Sequence, residues 1–264
     1  MNEAEVLFSE VLNCSRTALY LNRQKLLTKD ESGAIAAVLK RRISGEPLEY
    51  ILATAEFMGL EFKVGPAVLI PRPETEILVE AAIKISHQVT KSPSHQKILD
   101  LGTGSGCIAV SLAKFLPKAE VTAVDISEEA LKVAAENAMA HNVKVNFMRS
   151  DLFSALSLSK YDIIVSNPPY VPSGEIKQLQ QELKYEPQVA LDAGPDGCEF
   201  YRRIINHAGD YLENGGSLII EIGFGQRRAI EDIFKKSKTF KITQVIKDYN
   251  NIDRVIAARR QIGG

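Results

Sequence analysis

Residues 97–125 read KILDLGTGSGCIAVSLAKFLPKAEVTAVD. An apolar run of strand length ends at Leu101 and is followed by glycines at 102, 104 and 106; a helical pattern covers 107–116, and a second apolar run ends on Asp125. Strand, glycine turn, helix, strand is the unit from which parallel sheets are built. The rhythm continues with a helix over 128–140, VKVNFM at 143–148, YDIIVS at 161–166, a helix over 200–212, SLIIEIG at 217–223, a helix over 226–235, FKITQVI at 240–246 and RVIAAR at 254–259. Such alternation predicts an α/β fold: a doubly wound parallel sheet of seven strands, joined by right-handed crossovers and covered by helices on both faces. Only DYNNID joins the last two strands, too little chain for a helical crossover, so 254–259 must return antiparallel beside 240–246.

Upstream of this block, Val6, Leu7, Val11, Leu12, Leu19, Ile35, Val38, Leu39 and Ile43 recur at the spacing of helices with one buried face, and Gly45 with Pro47 closes the run. In 56–64, Phe57, Leu60, Phe62 and Val64 lie near period two around Gly59, which predicts a short hairpin arm. A helical pattern returns over 74–85, and the polar, aperiodic HQVTKSPSHQ of 87–96 reads as a linker near the domain boundary. The expected organisation is a small N-terminal helical unit with its arm, residues 1–70, and a larger α/β domain, residues 71–264.

Composition narrows the function. At 264 residues with 45% hydrophobic and 25% charged side chains, the chain buries a full core without staples. Its formal charge is −1, from 32 basic and 33 acidic groups, so it lacks the broad positive field that drives non-specific nucleic-acid binding. Cys14, Cys107 and Cys198 make no paired metal spacing, and the four histidines complete none, so no metal is expected. The acidic start MNEAEVLFSE and the absence of a long apolar run point away from a leader or a membrane span and toward the reducing cytoplasm.

Alternating glycines after a parallel strand let backbone amides approach a ligand and open the next helix toward it. A dinucleotide fingerprint would need its third glycine at position 107, where Cys107 stands, so that reading fails on spacing. An acid closing the next strand, Asp125, suits two ribose hydroxyls and rejects a phosphorylated ribose. Asp151 and Leu152, after the third strand, are placed for an adenine amino group and ring.

The fourth strand runs into Asn167-Pro168-Pro169-Tyr170. The prolines forbid continuation and fix φ, so the Pro168 carbonyl is presented on a rigid turn beside the Asn167 amide. Two acceptors so placed hold both hydrogens of one NH₂ group. A planar amine is a poor nucleophile because its lone pair is delocalised; accepting both hydrogens returns density to nitrogen and aims it, and orientation of this kind supplies about 7–11 kcal/mol in favourable cases. Tyr170 is suited to lie against a flat substrate group. The turn alone leaves three substrates open: adenine amines, guanine amines and glutamine side chains.

The glycine loop, the spaced acid and the seven strands with an antiparallel last one resemble the class I S-adenosylmethionine-dependent methyltransferases, whose sheet is Rossmann-like. Taken in order, LEYILATAEFMGLEFKVGPAVLIPRPETEILVE, DLGTGSGCIAVSLA, AVDIS, SDLFSAL, IVSNPPYVP and IEIGFGQ are similar, over essentially the whole chain, to the HemK/PrmC type of protein-(glutamine-N5) methyltransferase. That resemblance implies a bacterial cytoplasmic enzyme, expected as a monomer, that methylates the Gly-Gly-Gln loop of peptide chain release factors, with S-adenosyl-L-homocysteine as second product and no direct contact to nucleic acid. It implies that Gly102, Thr103, Gly104, Ser105 and Gly106 surround the donor's methionine part, Asp125 its ribose and Leu152 its adenine. Asn167 would meet donor and glutamine, with Pro168, Pro169 and Tyr170 completing the glutamine pocket; Asn167, Pro168 and Tyr170 are then the catalytic set. Leu152 stands where the family often has an aromatic residue. The N-terminal unit and arm would grip the release factor. An N-methyltransferase of adenine or guanine amines in nucleic acid is the alternative enzyme, and a donor-binding protein without catalysis is the alternative outside enzymes.

Arg72, Glu74 and Glu76 in PRPETE either line the pocket mouth or simply start a helix. Lys40, Arg41 and Arg42 read as a solvated face, and Cys198 and His207 as packing residues.

Overall fold

The computed structural model describes residues 3–22, 24–88 and 96–261. Helices α1 (Glu3–Val11), α2 (Arg16–Leu21) and α3 (Lys29–Ile43) form the N-terminal unit. Thr28 starts α3 with a capping box: its hydroxyl accepts from the Glu31 N–H at 3.2 Å while Glu31 accepts from the Thr28 N–H at 2.7 Å. Helix α3 ends just before Gly45 as expected, but a further helix follows Pro47. Gly45 turns the chain at φ +90°, and Pro47 caps a further short helix, α4 (Leu48–Leu52). The predicted arm is the hairpin β1 (Thr54–Phe57) and β2 (Leu60–Lys63), with Phe57 and Phe62 fully buried.

Helix α5 (Pro73–Gln88) leads to the central sheet. Residues 89–95 of the expected linker lie outside the described residues. Its last residue, Gln96, is buried and donates to the Ser86 carbonyl at 3.0 Å, so that end belongs to the packed domain. The sheet contains β3 (Lys97–Leu101), β4 (Glu120–Asp125), β5 (Asn146–Arg149), β6 (Tyr161–Ser166), β7 (Leu212–Glu221), β8 (Phe240–Lys247) and β9 (Asp253–Arg260) in the order β5-β4-β3-β6-β7-β9-β8. Every neighbouring pair up to β7 is parallel, whereas β9 is antiparallel to both β7 and β8. The expected hairpin partner of β8 therefore also inserts between β7 and β8.

Side-chain alternation builds two cores. Ile98, Val121, Ile163, Val165 and Ile219 face α5, α6 (Cys107–Phe115) and α7 (Glu128–Ala140); Leu99, Leu101, Val124, Ile164 and Ile220 face α8 (Glu199–Tyr211) and α9 (Arg227–Ser237). Strands buried on both faces explain why their sequences run apolar without interruption. Among the described residues, no helix is long and apolar enough to cross a membrane.

Strand order reverses between β3 and β6, and in open α/β sheets the ligand crevice forms beyond the carboxyl ends at such a reversal. Register makes the row of strand ends regular. Leu101 pairs with Val124 and with Ser166, and Ser166 pairs with Ile220, so the next residues outward, Gly102, Asp125, Asn167 and Glu221, stand side by side.

Candidate active site

The glycine loop after β3 has φ of +73° at Gly102, +55° at Gly104 and +81° at Gly106, in the region that favours glycine. Gly102 and Gly104 face open space, with nothing within 4 Å of where a Cβ would stand; Gly106 packs inward, where a Cβ would lie 2.9 Å from the Ala134 Cβ. Asp125 binds this loop directly: one carboxylate oxygen accepts from the Gly104 N–H at 2.9 Å, the other from Ser127 N–H at 3.0 Å. Behind the loop, Asp100 is fully buried and accepts from Thr103 Oγ1 at 2.6 Å. Burial pushes the Asp100 carboxyl up to about 7; the Thr103 hydrogen bond opposes this and the Asp125 charge adds to it.

These strand ends line a cavity of about 190 Å³ whose wall includes Gly102, Gly104, Asp125, Leu152, Asn167 and Pro169. Ala67, Val68 and Leu69, from the segment after the hairpin arm, close it from the other side. Thr103, Ser105 and Gly106 are not brought to its wall: Thr103 and Ser105 are buried, and the Ser105 carbonyl accepts from Asn137 Nδ2 at 2.8 Å. Asp151 does reach the cavity but is paired with Arg203 at 2.7 Å, so a donor's adenine would meet an ion pair rather than a free carboxylate. Open glycine backbone, a carboxylate held at the mouth of β4 and the apolar Leu152 fit a nucleoside carrying an amino-acid tail.

A second cavity of about 400 Å³ opens beyond the turn after β6 and is lined by Tyr170, Arg72, Glu74, Glu186, Glu221 and Arg254. Asn167 and Pro168, with Leu69 and Ala190, line both cavities and so form the partition between them. Burial pushes the Tyr170 phenol up to about 12, and the Glu221 charge reinforces the shift, so its hydroxyl stays protonated. Glu186, whose side chain is 1% exposed, pairs with Arg72 and accepts from the Ile70 N–H at 3.1 Å; burial raises its pKa against the pull of Arg72. Of the three PRPETE side chains left undecided by sequence, Arg72 and Glu74 line the cavity, while Glu76 accepts from the Met58 N–H at 2.6 Å and anchors the arm.

Three polar residues escape the motif reading. Thr75 Oγ1 accepts from Asn167 Nδ2 at 3.0 Å and donates to Glu221 Oε2 at 2.7 Å. Gln226, N-terminal cap residue of α9, donates to the Tyr170 carbonyl at 2.8 Å and accepts from the Gly223 N–H at 3.0 Å. All three lie in segments that carry the family resemblance, Thr75 in PRPETE and Glu221 and Gln226 in IEIGFGQ, and Glu221 is also a charged residue inside the apolar run SLIIEIG.

The expected solvated face of α3 is only partly so, because Arg42 pairs with Glu3 at 2.9 Å and with Glu182 at 2.6 Å, tying the N-terminal unit to the segment after the Pro-Pro turn. Cys198 is buried as expected; His207 is not a packing residue, being exposed with its Nδ1 2.8 Å from the Arg203 carbonyl.

Residues 1–52 match the family model described as the PrmC N-terminal domain, and residues 79–196 match the methyltransferase small domain. A release factor glutamine methyltransferase of Geobacter sulfurreducens is 43% identical over 97% of this chain and 88% of its own length. The chain belongs to the release factor glutamine methyltransferase family. A second member of this family, from Thermodesulfovibrio yellowstonii, is 41% identical over 98% of the chain and 92% of its own length. Among solved structures, a methyltransferase of Pyrococcus furiosus aligns with a TM-score of 0.56 at 20% identity, covering 88% of this chain and all (100%) of that one; it shares the fold. The family's methyltransferase fold, expected from residues 97–125 outward, is the fold observed.

Proposed function

We propose that this chain transfers a methyl group from S-adenosyl-L-methionine to the side-chain nitrogen, N5, of the glutamine in the Gly-Gly-Gln loop of peptide chain release factors. The observation that carries the reading is the partition: Asn167 and Pro168 line the cavity of the glycine loop and Asp125 on one side and the cavity with Tyr170 on the other. Bound in the first cavity, S-adenosylmethionine supplies an electrophilic methyl on a sulfonium and leaves as S-adenosyl-L-homocysteine. Gly102 and Gly104 admit its amino-acid part, Asp125 receives its ribose and Leu152 covers its adenine. Asn167 Oδ1 and the Pro168 carbonyl accept the two hydrogens of the glutamine NH₂, directing the nitrogen lone pair through the partition. Pro169 holds the turn rigid and Tyr170 lies against the flat carboxamide. As the new N–C bond forms, the nitrogen loses one hydrogen as a proton to solvent.

Residues 1–70 serve in this proposal as the unit that grips the release factor, and residues 71–264 as the catalytic domain, acting as a monomer in the bacterial cytoplasm. A nucleobase amine would meet the same two acceptors; relatives named for release factor glutamine, at 43% and 41% identity, favour the protein substrate.

The test incubates the chain and labelled donor separately with a release factor, with that factor carrying asparagine in place of the target glutamine, and with DNA and RNA. Label is expected only in the unaltered release factor. Asn167→Ala should cut transfer by on the order of 10²-fold while donor affinity holds. Label entering nucleic acid instead, or unchanged turnover in Asn167→Ala, would overturn the assignment.

A further inference from the structure

The polar chain behind Asn167 ends in a side chain to which methyl transfer itself gives no task. Glu221 is 1% exposed at the end of β7, and Thr75, 2% exposed in the first turn of α5, lies between it and Asn167. An ionised carboxylate can only accept, so the single hydroxyl proton of Thr75 goes to Glu221 at 2.7 Å. The Thr75 oxygen is then an acceptor toward Asn167, at 3.0 Å, and only the NH₂ end of the asparagine amide can meet it. Because the amide is planar, the other end, Oδ1, is turned away from Thr75 and toward the cavities that Asn167 lines.

We propose that Glu221, acting through Thr75, is a positioning residue that fixes which end of the Asn167 amide faces the substrate nitrogen. This rests on the reading of Asn167 as an acceptor for the glutamine NH₂. If Glu221 takes up a proton, it donates to Thr75 Oγ1, the intact threonine O–H turns to donate toward Asn167, and a rotated Asn167 accepts it through Oδ1. The asparagine then presents NH₂ to NH₂, and the substrate loses an acceptor.

The charged and titratable groups that Glu221 interacts with are Arg254 from β9, Arg72 just before α5, Glu74 in its first turn, Tyr170 after β6, Tyr201 from α8 and Cys107 from α6. Burial pushes the Glu221 carboxyl up to about 7, against the Thr75 hydrogen bond and the two arginines, so its charge changes near neutral pH.

The experiment measures single-turnover methyl transfer to release factor, donor affinity and melting temperature for the full chain and for Thr75→Val, Thr75→Ser and Glu221→Gln, between pH 5.5 and 8.5. Thr75→Val, which keeps shape and removes the hydroxyl, should lose roughly 10- to 100-fold in rate with donor affinity within about threefold, and Thr75→Ser should recover most of the loss. The wild-type rate should rise with pH through an inflection near 7, and Glu221→Gln should abolish that inflection. If Thr75→Val does not fold, the Glu221→Gln profile decides. Wild-type rates in Thr75→Val, or an inflection retained in Glu221→Gln, would overturn the positioning role alone. A wild-type chain that labels no release factor would overturn the substrate reading and the positioning role with it.

Discussion

Gln226 holds Tyr170 by its backbone: the glutamine Nε2 donates to the Tyr170 carbonyl at 2.8 Å across 56 positions of sequence. The same nitrogen reaches the Gly197 carbonyl at 3.2 Å, and the glutamine oxygen accepts from Gly223 N–H at 3.0 Å. One side chain thus binds the turn after β6, the approach to α8 and the loop after β7.

Gln226→Ala removes these bonds at once and leaves part-buried backbone groups unpaired, each such loss amounting to about 1–3 kcal/mol. Chemical denaturation should show a stability loss of about 3 kcal/mol or more, and steady-state kinetics should show a raised KM for release factor with donor affinity little changed. Equal losses in both affinities would mean that Gln226 supports the fold at large rather than the turn.

Gly197 permits the close approach that this clamp requires. Its φ is +69°, and a Cβ there would sit 2.7 Å from the Tyr170 carbonyl oxygen, a backbone atom that cannot swing aside. Gly197→Ala should therefore destabilise the chain by about 1–3 kcal/mol and lower methyl transfer several-fold, because the turn itself must shift. A variant as stable and as active as wild type would show that the turn is softer than its two prolines suggest.

In the proposed function Asp125 joins the loop to the donor, and its carboxylate accepts from the Gly104 and Ser127 amides. Hydrogen bonds to a charged group contribute about 1.5–3 kcal/mol, so Asp125→Ala should weaken donor binding by roughly 10- to 100-fold in calorimetric titration. Asp125→Asn retains an acceptor and should lose less. Equal losses in the two variants would argue that charge, not acceptance, is what the donor reads.

Asp100 predicts a sign for the dependence of stability on pH. Its folded pKa, about 7, lies above its ordinary value of 3.8, so between those limits the folded state holds a proton that the unfolded state has released. Its contribution to stability is present in full at acid pH and declines as pH rises through that window. Urea unfolding at pH 5 and pH 7.5 should show Asp100→Asn gaining on wild type at the higher pH, by on the order of 2–4 kcal/mol. A variant that loses ground at pH 7.5 would place the Asp100 proton elsewhere.

How much of this was legible in the sequence follows from the range of the forces involved. The alternation of apolar runs and helical stretches is local, and it located every strand of the large sheet and the antiparallel return of β9. The Asn-Pro-Pro-Tyr turn and the glycine loop were legible because backbone geometry demanded those residue types. Thr75 and Glu221 were not, for their bond spans 146 positions and depends on α5 packing beside the end of β7. Short elements were misjudged where one residue decides the outcome: α4 begins again directly after Pro47, since proline opens a helix as readily as it stops one. His207 occupies an amphipathic helix, where periodicity gives the average face and not the orientation of a single residue near its edge.

The insertion of β9 between β7 and β8 sets an order of assembly. Both flanking strands leave the ribosome before the strand that unites them, so β7 waits with a bare margin while the chain is being made, and Arg254, carried by β9, reaches the polar cavity only when that slot is filled. A nascent molecule of this kind cannot complete its own reaction chamber until β9 has emerged. Non-local pairing is slow, and the enzyme's maturation is thereby tied to the arrival of its last-made strand of the sheet.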